Sequence, residues 1–362
     1  MFGYWWLCRH FHDCRSPLRL SALRSTLAQS KAWRPATLPD GKIAIFHGYF
    51  DNAAEIAEEL DTDCVDRGHL YALAVERWGD ESDLKIIGDY CSVMADPRER
   101  LLRLARSPLR APPLYYSHDD HQAVVGSVPR IFFAAGLPQR LNEDRVVDSG
   151  MLYFLDEEAS WFKSIHRVPL GCVVELRPGQ PRILKRYYDP LATPKVDVRS
   201  DEECLARVSE LLDEAVQVCL SGFRKPGVTL SAGLDSPQIA VRALPAIPAG
   251  QKLPTFTFHP EAGYDGIVQA GMTGDERPMV EAFAKLHPGI EPHFTANEGY
   301  SHDHRWNEFF HLMGGPHQGF ATCTSSTDCL PVRRRRVATS FCSPTGETMH
   351  SATRGTGASS SI

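Results

Sequence analysis

The sequence predicts two domains of different class, a strand-rich α+β domain followed by a parallel-sheet α/β domain. Three observations predict it. The chain has 362 residues, more than the roughly 250 to 300 at which a single core stops growing. Short apolar alternations separated by turn signals dominate up to Leu176, as in half-buried strands. Beyond Ser200, strand-like and helix-like segments take turns in strict order, the pattern of crossover helices on a parallel sheet.

In the first part, Lys42 to Phe46 alternates as a strand and Asn52 to Leu60 reads as a short helix with Ala53, Ile56 and Leu60 on one side. Leu70, Leu73, Ala74 and Trp78 recur at helical spacing until Gly79 stops the helix. Leu101 to Ala105 alternates again. Leu114 to Tyr116 and Ala123 to Val125 flank a polar His118-Asp119-Asp120 turn, which predicts a hairpin. A linker with Pro and Asp near Pro190 ends this domain.

In the second part, Ser200 followed three residues later by Glu203 is a capping box. It opens a long helix whose expected buried stripe is Leu205, Val208, Leu212, Ala215 and Cys219. Strands at Gly227 to Leu230, Thr255 to His259 and near His293-Phe294 alternate with helices after Ser236, at Asp275 to Leu286 and at Asp303 to Met313. After Gly319 the pattern dissolves into Ser, Thr, Cys and Arg, and a small polar tail cannot form a core. The expected division is therefore a basic segment at 1–40, a first domain at 41–190, a second at 200–350 and a tail at 351–362.

Composition narrows the function classes. Hydrophobic residues at 43% and charged residues at 23% describe a globular protein. With 45 acidic against 39 basic residues, the net charge of -6 offers no general attraction to nucleic acid or anionic lipid. No apolar run approaches the ~18 residues of a membrane span. The ten cysteines never fall in a CxxC spacing, so neither a zinc ribbon nor a thioredoxin-like motif is indicated, and a reducing cytoplasmic setting is expected. The first 39 residues, rich in Arg and Ser with Asp13 as the only acid, share the composition of a transit peptide, but are read as a basic start to the first domain. The run Arg333 to Arg336 reads as solvated or as a disturbed reading frame, His302 and His304 as a solvated helix start, and Trp5-Trp6 as packing.

The chemistry concentrates in Val228-Thr229-Leu230-Ser231-Ala232-Gly233-Leu234-Asp235-Ser236, an apolar strand running into a small-residue turn and then a helix with Pro237 in its first turn. Small side chains let backbone N–H groups close on an anion, and a helix N-terminus adds partial positive charge. Pyrophosphate suits such a cradle. Asp235 is mis-signed for bare phosphate and so argues for Mg²⁺ between carboxylate and phosphates.

Ser231-Ala232-Gly233-Leu234-Asp235-Ser236 resembles the SGGLDS loop of the ATP-pyrophosphatase superfamily, with Ala232 in place of the first glycine. Further stretches narrow the resemblance to the glutamine-dependent asparagine synthetases. Phe46-His47-Gly48-Tyr49-Phe50-Asp51-Asn52 is similar to that family's NGEIYN segment, and Ala105-Arg106-Ser107-Pro108 through Leu114-Tyr115-Tyr116 to its ARDxxGxxPLYY segment. Asp275-Glu276-Arg277-Pro278 resembles its YDERP stretch, and Thr345-Gly346-Glu347 the start of its SGEGxDE motif. The resemblance implies an Ntn-amidotransferase-like domain followed by an ATP-pyrophosphatase domain. It further implies ATP and Mg²⁺ held by Leu230, Ser231, Gly233, Asp235, Ser236 and Gly346, with Asp235 as the metal ligand. A substrate carboxylate would become an acyl-adenylate, and Glu347 would accept a proton as an amine attacks. The expected partners are a small-molecule or peptide carboxylate and a second copy of the chain or a precursor peptide, with no nucleic acid and no membrane.

Departures from the family shape the expectation. Its glutaminase uses a cysteine directly after the initiator methionine, where this sequence has Phe2; its oxyanion-hole Asn is His47; and its amine-binding acid is displaced to Asp66 or replaced by Arg67. The amidotransferase site is therefore expected to be dead. Such a loss fits the lasso-peptide macrolactam synthetases, which the Ala105–Pro113 and Trp161–Gly171 stretches also resemble. Family members continue well beyond Glu347, and His350 stands where a second magnesium carboxylate is expected. A truncated copy, or a non-catalytic scaffold that keeps the fold, is the alternative expectation.

Overall fold

Two stacked antiparallel sheets build the first unit of the chain in the computed structural model, which describes residues 6–10, 35–120, 122–153, 155–221, 226–266, 268, 273–296, 298–299, 306–307, 310, 340–342 and 349–350. The chain divides into two units at Lys195 and Val196. The first contains β1 (Trp6–His10), β2 (Ala36–Thr37), β3 (Ile43–Gly48), α1 (Ala53–Glu59), α2 (Arg67–Trp78), α3 (Ser82–Lys85), β4 (Tyr90–Asp96) and β5 (Leu101–Arg106). It continues with β6 (Tyr115–His118), β7 (Gln122–Gly126), α4 (Arg130–Ala134), α5 (Glu143–Gly150), β8 (His166–Arg167), β9 (Cys172–Leu176) and β10 (Ile183–Arg186).

One sheet runs β10-β9-β5-β4-β3-β2 and the other β1-β7-β6-β8. The two-residue period of β3 shows how the layers form. Ile45 joins Val93, Leu104, Tyr116 and Val125 in the core between the sheets, whereas Phe46 packs with Ile56, Leu70 and Tyr71 of α1 and α2 on the outer face. Val124 turns the other way, toward Phe132 of α4 and Phe162. The layers are helix, sheet, sheet, helix. Every residue of β4 is buried, as befits a strand covered on both faces. The sequence-predicted hairpin is β6 paired with β7, and Gly79 ends α2 with φ of 58°. Residues assigned from sequence to a separate basic segment supply β1 and β2, with Leu38 buried against Ala44 and Ala72. Helices α4 and α5 fall where the sequence showed only strands and turns.

The second unit contains α6 (Asp201–Ser221), β11 (Pro226–Thr229), α7 (Asp235–Ala243), β12 (Leu253–Phe258), α8 (Arg277–Leu286), β13 (Ile290–Thr295), β14 (Ser340–Cys342) and β15 (Met349–His350). Its sheet runs β13-β12-β11-β14-β15, parallel from β13 to β14, with β15 antiparallel at the edge. The core joins Val228, Leu230, Ala240, Ala243, Leu253, Val280 and Ile290.

The expected buried stripe of α6 is corrected by the structure. Leu205 and Val208 are 70% and 48% exposed, Ala215 is also exposed, and the buried positions are Val216 and Leu220. Apolar residues occupy more than one side of this helix, so helical period alone does not choose the face. It meets α7 from its middle onward, where Arg242 donates to Asp213 (2.7 Å) and to the Ser209 carbonyl (3.2 Å).

Candidate functional site

Strand β11 is the topological switch point of its sheet: the chain leaves it for β12 on one side, while β14 flanks it on the other. In open α/β sheets, ligands settle in the crevice at the carboxyl ends of such strands. The turn from Leu230 to Leu234 lies there, between β11 and α7. Leu230 is fixed from β12, since its N–H donates to the Phe256 carbonyl (2.9 Å) and its own carbonyl accepts the Thr257 hydroxyl (2.7 Å).

The two serines organise the turn. Ser231 N–H donates to Ser236 Oγ (2.8 Å), the two hydroxyl oxygens lie 2.9 Å apart in a further hydrogen bond, and Gly233 N–H donates to Ser231 Oγ (3.3 Å). Ser236 is buried. Gly233 and Ala232 both keep ordinary negative φ, and a Cβ built on Gly233 would meet only Ser231 Oγ at 3.4 Å. The small residues therefore leave room above the turn and are not needed for a special backbone. Replacement of the family's first glycine by Ala232 is compatible with this geometry.

Helix α7 starts at Asp235 with no side-chain cap from Leu234, so its first-turn N–H groups and the positive end of its dipole lie beside the cradle. Leu234 is 82% exposed and Asp235 is exposed. Ala232 N–H donates to Glu276 Oε2 (3.3 Å), so a carboxylate already rests on one backbone donor of the turn. These features fit a polyphosphate. Among the described residues, no group of three His, Cys, Asp or Glu side chains is placed to hold a metal ion, and a cation here would rely on Asp235 and the phosphates themselves.

The structure thus gathers Leu230, Ser231, Gly233, Asp235 and Ser236 into one turn. Gly346 and Glu347 lie outside the described residues, as do the Arg333 to Arg336 run, His302, His304 and most of the Asp303 to Met313 helix. Strand β14 ends with Cys342 opposite Val228, at the same end of the sheet as the cradle. Sequence reading gave no role to Glu276 or Thr257. The acid within Asp275-Glu276-Arg277-Pro278, just ahead of α8, was the available signal for the first.

In the first unit, the residues compared with the amidotransferase site gather around Gly48. Arg67 donates to the Gly48 carbonyl (3.0 Å). Asp66 is engaged as the N-cap of α2, accepting from His69 N–H (2.8 Å). Gly48 has φ of 128° and its Cβ would fall 2.1 Å from the Asp89 carbonyl oxygen; Gly88, at φ of 155°, would place a Cβ 2.1 Å from the Tyr49 carbonyl oxygen. Burial, with the charge of Asp89 adding to it, pushes the Asp51 carboxyl up to about 6, and Arg67 opposes the rise. Arg106 acts as a clamp, donating to the Pro112, Val168 and Ala111 carbonyls (3.0, 2.7 and 3.0 Å).

Residues 26–188 match the family model described as glutamine amidotransferase domain, and residues 207–306 match asparagine synthase. An amidotransferase domain joined to a synthase domain defines a two-domain amidotransferase–synthase chain. The chain is thus similar to the asparagine synthetases (glutamine-hydrolysing).

It is 24% identical over 244 residues to a provisional asparagine synthetase (glutamine-hydrolyzing) of Mycobacterium bovis, covering 63% of this chain and 36% of the relative. It is 24% identical over 198 residues to asparagine synthetase (glutamine-hydrolyzing) 1 of Bacillus subtilis, covering 53% and 31%. Amidase chyE of Penicillium rubens is 29% identical over 168 residues, covering 46% and 25%. The chain spans about a third of the length of these curated relatives or less. A solved glutamine phosphoribosylpyrophosphate amidotransferase from Bacillus subtilis superposes with a TM-score of 0.32 at 12% identity, covering 73% of this chain and 63% of that one; at that score the likeness adds nothing to the strand pairing.

Proposed function

We propose that the second unit binds Mg-ATP and that the chain belongs to an amide-forming ligase that activates a carboxylate as an acyl-adenylate, releasing pyrophosphate. The observation that carries this reading is the Ser231–Ser236 turn, set at the switch point of a parallel sheet and opening an uncapped helix. Ser231, Gly233 and Ser236 would hold the pyrophosphate portion, and Asp235 would hold Mg²⁺, which neutralises charge growing on the departing pyrophosphate. The layered first unit supports an Ntn-type amidotransferase fold, and the reading places the protein in the cytoplasm.

Calorimetry with Asp235→Asn tests the assignment. The variant should bind Mg-ATP about tenfold more weakly, ~1.4 kcal/mol, with Mg-free nucleotide less affected. Equal Mg-ATP affinity of variant and wild type would sink the role of Asp235.

We also propose that the first unit does not hydrolyse glutamine. Phe2 in place of the nucleophilic cysteine, His47 in place of the oxyanion-hole Asn, and Arg67, which is bonded to the Gly48 carbonyl, support this. Glutamate release from glutamine that is abolished by thiol alkylation would refute it. The amine then comes from elsewhere. Pyrophosphate release with aspartate and ammonia selects asparagine synthesis, and release only with a peptide selects macrolactam formation.

A further inference from the structure

We propose that Glu276 is a placeholder anion for the cradle: in the nucleotide-free protein its carboxylate holds Ala232 N–H, and incoming pyrophosphate must displace it. This rests on the reading of the Ser231–Ser236 turn as a polyphosphate site.

The geometry points to Glu276 and not to its neighbours. Asp275 is engaged by Arg277, whose guanidinium donates to both carboxylate oxygens (3.0 Å from Nε to each, 2.6 Å from Nη2) and whose N–H donates as well (3.0 Å). Glu276 is the residue before α8 but makes no side-chain cap to that helix. Its carboxylate instead reaches 44 positions back in sequence, across to the turn after β11, and accepts from Ala232 N–H at 3.3 Å. The N–H groups on either side of it, of Ser231 and Gly233, are satisfied by serine hydroxyls. The one bonded to a full negative charge is thus the one between them, and backbone N–H groups of such turns are the donors that close on phosphate.

Two consequences follow from charge alone. A carboxylate resting at the cradle satisfies an otherwise exposed donor, which keeps the empty turn in its binding shape. The same carboxylate repels an arriving polyphosphate, so affinity is lower than the cradle could give. Removing the charge should raise affinity, the reverse of what loss of a merely structural contact would do.

The test uses the full chain, with inorganic pyrophosphate and Mg-ATP as probes in calorimetry, on wild type, Glu276→Gln and Glu276→Ala. Glutamine keeps the shape and an acceptor oxygen; alanine frees the donor. Both variants should bind Mg-free pyrophosphate tighter by about 3- to 10-fold at low salt, as expected for removing one like charge near the surface, and the gain should shrink as salt rises. Amide hydrogen exchange without nucleotide should show Ala232 less protected in Glu276→Ala than in wild type. Wild-type binding with equal or weaker affinity in both variants overturns the placeholder and leaves the nucleotide site standing. Unchanged exchange at Ala232 overturns it too. Absence of pyrophosphate and Mg-ATP binding in all three proteins overturns the nucleotide reading and the placeholder with it.

Discussion

At the scale of single residues, the unit that resembles an amidotransferase carries a titratable strain beside Arg67. Asp51 ionises at about 6 against an ordinary value of 3.8, because burial and Asp89 disfavour its charge. Between those values the native protein holds a proton that the unfolded chain has lost. Stability therefore falls as pH rises from about 4 to 6, and the deficit is complete above pH 6. Asp51→Asn should leave stability unchanged near pH 4 and raise it at pH 7. The residue keeps solvent contact, so screening limits the gain to about 1 kcal/mol. Urea midpoints at the two pH values check this, and a gain at pH 4 equal to that at pH 7 would contradict the ionisation argument.

At the scale of elements, the capping box at the start of α6 was legible in sequence, and the structure refines it. Ser200 Oγ accepts from Glu203 N–H (3.2 Å), while Glu203 Oε2 reaches back to Arg199 N–H (3.0 Å), one residue further than the standard pattern. Ser200→Ala should cost the second unit about 1 kcal/mol, read as a fall in its thermal midpoint. Loss of no stability would mean that the first turn of α6 does not contribute. The presence of β3, α2, the β6–β7 hairpin and β11 was readable because each had a local cause: alternation, a terminal glycine, a polar turn or a run into small residues; their ends shift by a residue or two, His118 belonging to β6 and not to the turn. The buried face of α6 was not, because it is chosen by Ala240 and Ala243 of a helix that follows it in the chain. Glu276 was unreadable for the same reason, since its partner Ala232 lies far away in sequence.

At the scale of the whole molecule, residues 190–200 are exposed throughout and carry no helix or strand. Such a segment has few contacts to hold it against a protease. Limited proteolysis should cut within it first, giving two fragments that match the units dividing at Lys195. First cuts inside β3–β5 or β11–β12 would deny that the units are separate cores. The division into a strand-rich part and a parallel-sheet part was predictable from sequence because the connection rules differ: hairpins join antiparallel strands directly, while parallel ones need a crossover. The substrate was not predictable, because neither unit names its carboxylate.

The tight backbone packing at residues 48 and 88 changes what a motif can testify. The backbone of residues 89 and 90 fills the space of a side chain at 48, and that of residues 49 and 50 the space of one at 88, so neither position admits anything but hydrogen. The glycine beside His47 is held in place by close backbone packing against its neighbouring strand, whatever becomes of the chemistry around it. A chain that has given up glutamine would still spell this letter of the word. Relic and requirement look alike at Gly48.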